Sequence, residues 1–107
     1  MTATAEHVDL FAALGDPTRR AVLNILAARG EASATAIASE LPVSRPAVVK
    51  HLGVLDRAGL LEERRRGREV LFSVRPEPLA SAARWLALVA SEWDRRLTAL
   101  KRLAEDS

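Results

Sequence analysis

The segment Ser44–Arg68 restricts this chain more than any other. It runs Ser44-Arg45-Pro46-Ala47-Val48-Val49-Lys50-His51-Leu52-Gly53-Val54-Leu55, then past Gly59 into Glu62-Glu63-Arg64-Arg65-Arg66-Gly67-Arg68. Ser44 is a helix N-cap residue, and Pro46 is harmless in a first helical turn. Val48, Leu52 and Leu55 recur at spacings of four and three, which makes them the buried stripe of a helix. The same geometry turns Arg45, Pro46, Val49, Lys50 and Gly53 to the opposite side. A helix with a polar, basic leading end fits the major groove of DNA, and arginines beyond it suit flanking phosphates.

The charge distribution supports that reading better than the total does. The whole chain carries 16 Lys+Arg against 14 Asp+Glu, close to balance. Between Ser44 and Arg68 the count is seven basic against three acidic, whereas the remainder holds nine against eleven. A local excess inside a neutral protein is the electrostatic footprint of a nucleic-acid face. A solvated loop also explains a bare charge run. Here the adjoining helix puts both features on one face.

The flanking sequence parcels into short helices. Val8 to Leu14 is amphipathic and ends at Gly15. Asp16 caps a second helix with Pro17 at its first position, running to about Arg29 and closed by Gly30, with Val22, Leu23, Leu26 and Ala27 inward. Ser33 caps a short third helix in which Ile37 and Leu41 point inward, until Pro42 stops it. Leu41-Pro42-Val43 is then the tight connection of a helix-turn-helix. Leu60–Arg65 and Glu69–Val74 read as strands around Arg66-Gly67-Arg68, with Val70 and Phe72 half-buried. Pro76 and Pro78 precede a last helix from about Leu79 to Arg102. The expected fold is mainly α with a small β-hairpin, a winged helix-turn-helix in the order α-α-α-α-β-β-α, as one domain over residues 1–107.

That last helix is too long for its domain. About 24 residues reach roughly 36 Å, whereas a compact domain of this size has a radius of gyration near 13 Å. Leu79, Ala82, Leu86, Val89, Trp93, Leu97 and Leu100 form one apolar stripe, with Trp85 and Leu88 beside it. One face covers the domain's core and the other needs a partner. A twofold homodimer through Leu10, Phe11 and Leu14 of the first helix and Leu86, Val89, Trp93 and Leu97 of the last is the economical solution.

The DNA-binding candidates have distinct roles. Ser44 caps its helix, and the adjacent N–H groups are placed to meet a phosphate. Arg45 and Lys50 suit guanine edges or phosphates, Val49 suits a thymine methyl, and Pro46 shares their face. His51 on the flank fits either a phosphate or partial burial. Gly53 costs about 1 kcal/mol relative to alanine within a helix. It implies either close approach to the DNA backbone or a helix crossing. Arg68 after the turn glycine is set to reach the minor groove or a phosphate. Strand alternation puts Arg64 and Arg66 on one side and Arg65 on the other. Glu62 and Glu63 are the expected partners for one of these arginines.

With these motifs placed, the chain resembles the ArsR/SmtB family of winged helix-turn-helix repressors from about Phe11 to Leu100. Phe11-Ala12-Ala13-Leu14-Gly15-Asp16-Pro17-Thr18-Arg19-Arg20 resembles the family's opening signature. Ser44-Arg45-Pro46-Ala47-Val48 with His51-Leu52 and Leu55 resembles its recognition helix. Ala58-Gly59-Leu60, followed by Arg64–Arg68 and Phe72, resembles the helix end and wing. The resemblance implies a dimeric, sequence-specific transcriptional regulator that represses from a palindromic operator near its own promoter, with double-stranded DNA as partner.

The departures from the family pattern bear on sensing. Many family members bind metals through a Cys-x-Cys pair on the third helix, and Glu40-Leu41-Pro42-Val43 has no thiol there. Others use histidine-containing pairs on the last helix, where this chain has Glu92 and Asp94 but no histidine. In this the chain resembles the cysteine-free, non-metal-sensing branch of the family. No metal site and no cofactor are therefore expected. His7, beside Glu6 and Asp9 near the terminus, reads as solvated.

Two other functional classes compete. A winged helix used for protein–protein contact would not need a basic recognition face. An enzyme would need chemistry that two distant histidines, no cysteine and no glycine-rich phosphate loop do not provide. No run of about eighteen apolar residues occurs and the N-terminus lacks a charged-then-apolar signal pattern. No membrane association and a cytoplasmic location are the expectations.

Overall fold

The computed structural model describes residues 5–106, with side chains from His7 onward, so positions 1–4 and 107 of the expected domain lie outside the described residues. Five helices and one hairpin follow in the order α1 (Ala5–Leu14), α2 (Pro17–Arg29), α3 (Ala34–Ala38), α4 (Arg45–Arg57), β1 (Leu61–Arg66), β2 (Glu69–Val74) and α5 (Pro76–Glu105). This is the expected winged helix-turn-helix order.

Local chemistry explains the joints. Asp16 Oδ1 accepts from the Thr18 and Arg19 amides at 2.8 and 3.1 Å, which caps α2. These bonds, the Arg19 amide first, hold the Asp16 carboxyl below its usual 3.8, and the Arg19 and His51 charges add to the effect. Arg19 Nε donates to the Ala13 carbonyl at 2.6 Å and Arg20 Nη1 to the Leu14 carbonyl at 2.6 Å. Two cations thereby satisfy the last carbonyls of α1, which are orphaned at any helix C-terminus. The Asp-Pro-Thr-Arg-Arg run is thus a double cap that welds α1 to α2.

Gly59 ends α4 as the sequence predicts. Its φ is +79°, and the Leu60 and Gly59 amides reach back to the Leu55 and Asp56 carbonyls at 3.0 and 2.9 Å. This pair of bonds is a Schellman motif, and its usual apolar contact is supplied by Leu55 and Leu60, both fully buried. Around them lies the core: Leu10, Val22, Leu26, Ile37, Val48 and Leu52 are all essentially inaccessible.

Several expectations change. Helix α3 stops at Ala38 rather than continuing to Leu41, because the Ser39 hydroxyl donates to the Ala36 carbonyl at 2.6 Å and the chain tightens. Leu41 still packs on the core, but from the turn. Ala27 is exposed, at the edge of an open groove with Leu14, Leu23, Val74 and Leu79. Helix α1 begins at Ala5 rather than Val8, and α5 at Pro76 rather than Leu79. Pro76 and Pro78 lie in the first turn of α5, where proline is tolerated, and so start the helix instead of preceding it. His7 is not solvated: it is buried, with Nε2 3.1 Å from Ser81 Oγ.

Helix α5 sets the outline of the molecule. Its 30 residues extend about 45 Å, and the molecule measures 69 × 25 × 22 Å with a radius of gyration of 18.7 Å. The helix is fastened to α1 near its start, where the Phe11 and Trp85 rings lie 5.7 Å apart and His7 and Trp85 5.9 Å apart. Ala82 is its one buried residue among those described. Leu86, Leu88, Trp93, Leu97, Leu100 and Leu103 are all exposed.

Candidate nucleic-acid interface

The recognition face is built by α4, the turn before it and the wing. Ser44 Oγ accepts from the Ala47 amide at 3.2 Å, capping α4 as expected. With Val48, Leu52 and Leu55 buried, Arg45, Pro46, Val49 and Lys50 are left exposed together. Val49 is 47% exposed, a large apolar fraction for a β-branched residue between two cations. Arg45 is held, its Nε donating to Thr35 Oγ1 of α3 at 3.0 Å.

The wing lies beside this helix. Strand β2 pairs with β1 on one side, Leu61 opposite Val74 through Arg66 opposite Glu69. On the other side Phe72 exchanges two backbone hydrogen bonds with Ala32 at 2.9 and 3.0 Å. The hairpin is therefore the outer part of a three-stranded arrangement rooted in the domain. Gly67, with φ +62°, occupies the first position of a two-residue turn, as a II′ turn requires. β1 consequently runs one residue further than the sequence suggests, to Arg66, and starts at Leu61 rather than Leu60.

Pairing sorts the wing residues by face, because partners across a ladder share a side. Glu63, Val70 and Phe72 line a cleft of about 400 Å³ against α3 and α4, together with Thr35, Arg45, Val49 and Arg68. Arg65, opposite Val70, alternates onto this same face. Arg64 and Arg66 alternate onto the other. Arg64 donates Nε and Nη2 to the Glu31 carboxylate, a two-pronged pair, and its partner is neither Glu62 nor Glu63 as expected. That pair holds the Glu31 carboxyl below the ordinary carboxylate range and raises the Arg64 guanidinium further above its usual value. Leu71 is buried on that side, so the wing packs on both faces rather than one.

Two more candidates are placed by the fold. His51 is half-buried on α4. A Cβ built on Gly53 would meet only Arg57 Nη1, at 3.4 Å, so no helix crossing demands the glycine. Gly53 instead lines a second, smaller hollow of about 190 Å³ between α4 and the wing, which shares Val49, Glu63 and Phe72 with the cleft. Sequence reasoning missed Thr35, Glu31 and Arg65. Register could have exposed Arg65 had the wing been known to face α4 through Phe72, whereas Thr35 and Glu31 act across sequence gaps that carry no local signal.

Comparison with known proteins agrees with this geometry. A helix-turn-helix domain model matches residues 14–64, the span from the end of α1 to the middle of β1. The chain is 39% identical to a helix-turn-helix-type transcriptional regulator of Mycobacterium tuberculosis, over 87% of this chain and 83% of that one. It is 29% identical to the transcriptional repressor SdpR of Bacillus subtilis, over 83% of this chain and 98% of the repressor. The solved structure of an ArsR-like transcriptional regulator from Rhodococcus sp. RHA1 superposes with a TM-score of 0.83 at 44% identity, covering 94% of this chain and 93% of that one.

The chain belongs to the ArsR family of transcriptional regulators. As a family member it is a DNA-binding regulator of transcription, and the α4–wing surface is the winged helix-turn-helix element of that family. It carries no cysteine, and its histidines are at positions 7 and 51. Among the described residues, no group of three or more His, Asp or Glu side chains gathers as a metal site, and no helix is long and apolar enough to cross a membrane. The side chain of Glu6 lies outside the described residues.

Proposed function

We propose that this chain is a homodimeric, sequence-specific repressor that binds a palindromic operator in the cytoplasm, with its own promoter as a target. The observation that carries the reading is the exposed surface of Arg45, Pro46, Val49 and Lys50 on α4 with Arg68 on the adjoining wing. On it, Arg45 and Lys50 read base edges, Val49 meets a thymine methyl, and Ser44 and Arg68 hold phosphates; Arg66, on the opposite face of the hairpin, adds a separate wing contact. Relatives that are named repressors support the sign of regulation.

Dimerisation is supported by α5. Leu86, Trp93 and Leu97 are about half exposed or more, an apolar row that a water-facing helix does not carry. Val89 is half-buried beside them. The earlier set needs one change: Leu10 is 1% exposed in its own core and presents nothing to a partner. Phe11 and Leu14 are half-buried, and Phe11 already fastens α1 to Trp85. Val8, exposed on α1, takes the place of Leu10 in the proposed contact.

Gel-shift titration on the DNA upstream of the coding sequence, against a scrambled duplex of equal composition, tests the reading. Arg45→Ala and Lys50→Ala should each weaken operator binding by about 1–3 kcal/mol more than scrambled-duplex binding. Arg68→Ala should weaken both and lower the salt dependence by about one unit of log–log slope. Equal affinity of the native chain for the two duplexes would overturn the assignment.

A further inference from the structure

We propose that Thr35, on α3, is a specificity-determining positioning residue: it sets how Arg45 reads DNA by occupying the Nε of its guanidinium. The inference rests on the DNA-binding reading above and adds a residue that does not belong to the recognition helix.

A guanidinium offers five N–H groups in a fixed planar fork, so using one edge determines which edge remains. In this protein Arg45 Nε donates to Thr35 Oγ1 at 3.0 Å. The side-on edge, which combines Nε with one Nη, is thereby closed to a ligand. The end-on edge, Nη1 with Nη2, remains open, and it fits the O6 and N7 acceptors of a guanine in a bidentate contact. Thr35, Arg45, Val49 and Arg68 line the same cleft between helix and wing, and Arg45 is exposed, so the edge that Thr35 leaves open belongs to the recognition face.

The arrangement also restricts motion. An exposed arginine samples many rotamers, and each must be frozen when it reads a base. A hydroxyl on α3, itself anchored by the Ser33 cap and the buried Ile37, removes part of that freedom before DNA arrives. The hydrogen bond is exposed in the free protein and so contributes little there. Once DNA excludes water from the cleft, it strengthens. Thr35 acts on recognition and not on folding.

Thr35→Val tests this, because it keeps the β-branched shape and removes the acceptor. Thr35→Ser restores the acceptor. Operator and scrambled-duplex affinities are measured for both variants, alone and with Arg45→Ala, along with the melting midpoint. Thr35→Val should lose about three- to tenfold in operator affinity, the worth of one net hydrogen bond, with scrambled-duplex affinity, salt slope and melting midpoint unchanged. Thr35→Ser should recover the native value, and Thr35→Val should have no further effect in the Arg45→Ala background. A base-substitution scan of the half-site should show a single position whose discrimination weakens in Thr35→Val. Native operator affinity in Thr35→Val, or an undiminished loss in the Arg45→Ala background, would overturn the proposal. A native chain that does not distinguish operator from scrambled duplex would overturn the DNA reading and this proposal together.

Discussion

Gly53 stands in the interior of α4. Glycine inside a helix sacrifices about 1 kcal/mol relative to alanine, and α4 gives it no packing reason: the missing methyl would meet only the tip of the flexible Arg57. Gly53→Ala should therefore raise the unfolding free energy by about 1 kcal/mol in chemical denaturation while weakening operator binding, because the methyl is added on the cleft side. A destabilised variant would show that the backbone here is tighter than described. Residues of this kind were legible in sequence because helical period alone assigns their face: Val48, Leu52 and Leu55 are buried and Arg45, Val49 and Lys50 exposed, as spacing required. Leu10 was misassigned for the opposite reason. Its period marks an apolar face but does not say whether the chain itself or a second copy covers it.

Among the elements, the wing shows where pattern reading runs out. Alternation in β1 correctly separated Arg64 and Arg66 from Arg65, but not which face meets α4. That depended on Phe72 pairing with Ala32, a contact forty residues apart in sequence. The Glu31–Arg64 pair was hidden for the same reason, and it now ties the wing to the segment after α2. It also has a pH signature. Glu31 and Asp16 are both held below their ordinary values, Glu31 chiefly by the Arg64 hydrogen bond and Asp16 chiefly by the Arg19 amide. A depressed folded-state pKa stabilises above the unfolded value and loses that contribution as pH falls through the folded one. Thermal midpoints should thus be flat near neutrality and fall as pH drops from about 5 toward 3. Glu31→Gln should show a shallower fall. An acid limb identical in the native and Glu31→Gln chains would contradict the assignment. Element ends were the other weak point: α5 starts at Pro76 because proline opens helices as readily as it ends them.

For the molecule as a whole, the length of α5 was the clearest signal in the sequence, and the structure makes it longer still. Beyond Trp85 the helix carries Leu86, Trp93, Leu97 and Leu100 exposed, with Arg96 stacked 5.2 Å from the Trp93 ring. What switches such a regulator is a question of ligand chemistry. Transition metals bind tightly through thiolate and imidazole. This chain has no cysteine, buries His7 against Ser81 and Trp85, and half-buries His51. Operator affinity measured by fluorescence anisotropy should be unchanged by stoichiometric zinc, nickel or arsenite and by chelators. A submicromolar metal affinity coupled to release of DNA would refute that expectation.

In the proposed complex two copies of this chain place two α4 helices on successive turns of one groove face. Sedimentation of the protein with its footprinted upstream DNA measures this directly. The protein should be a dimer at micromolar concentration without DNA and bind two chains per duplex with it, at half-site centres roughly 10 bp or a multiple apart. A monomer that binds a single half-site with full affinity would contradict it.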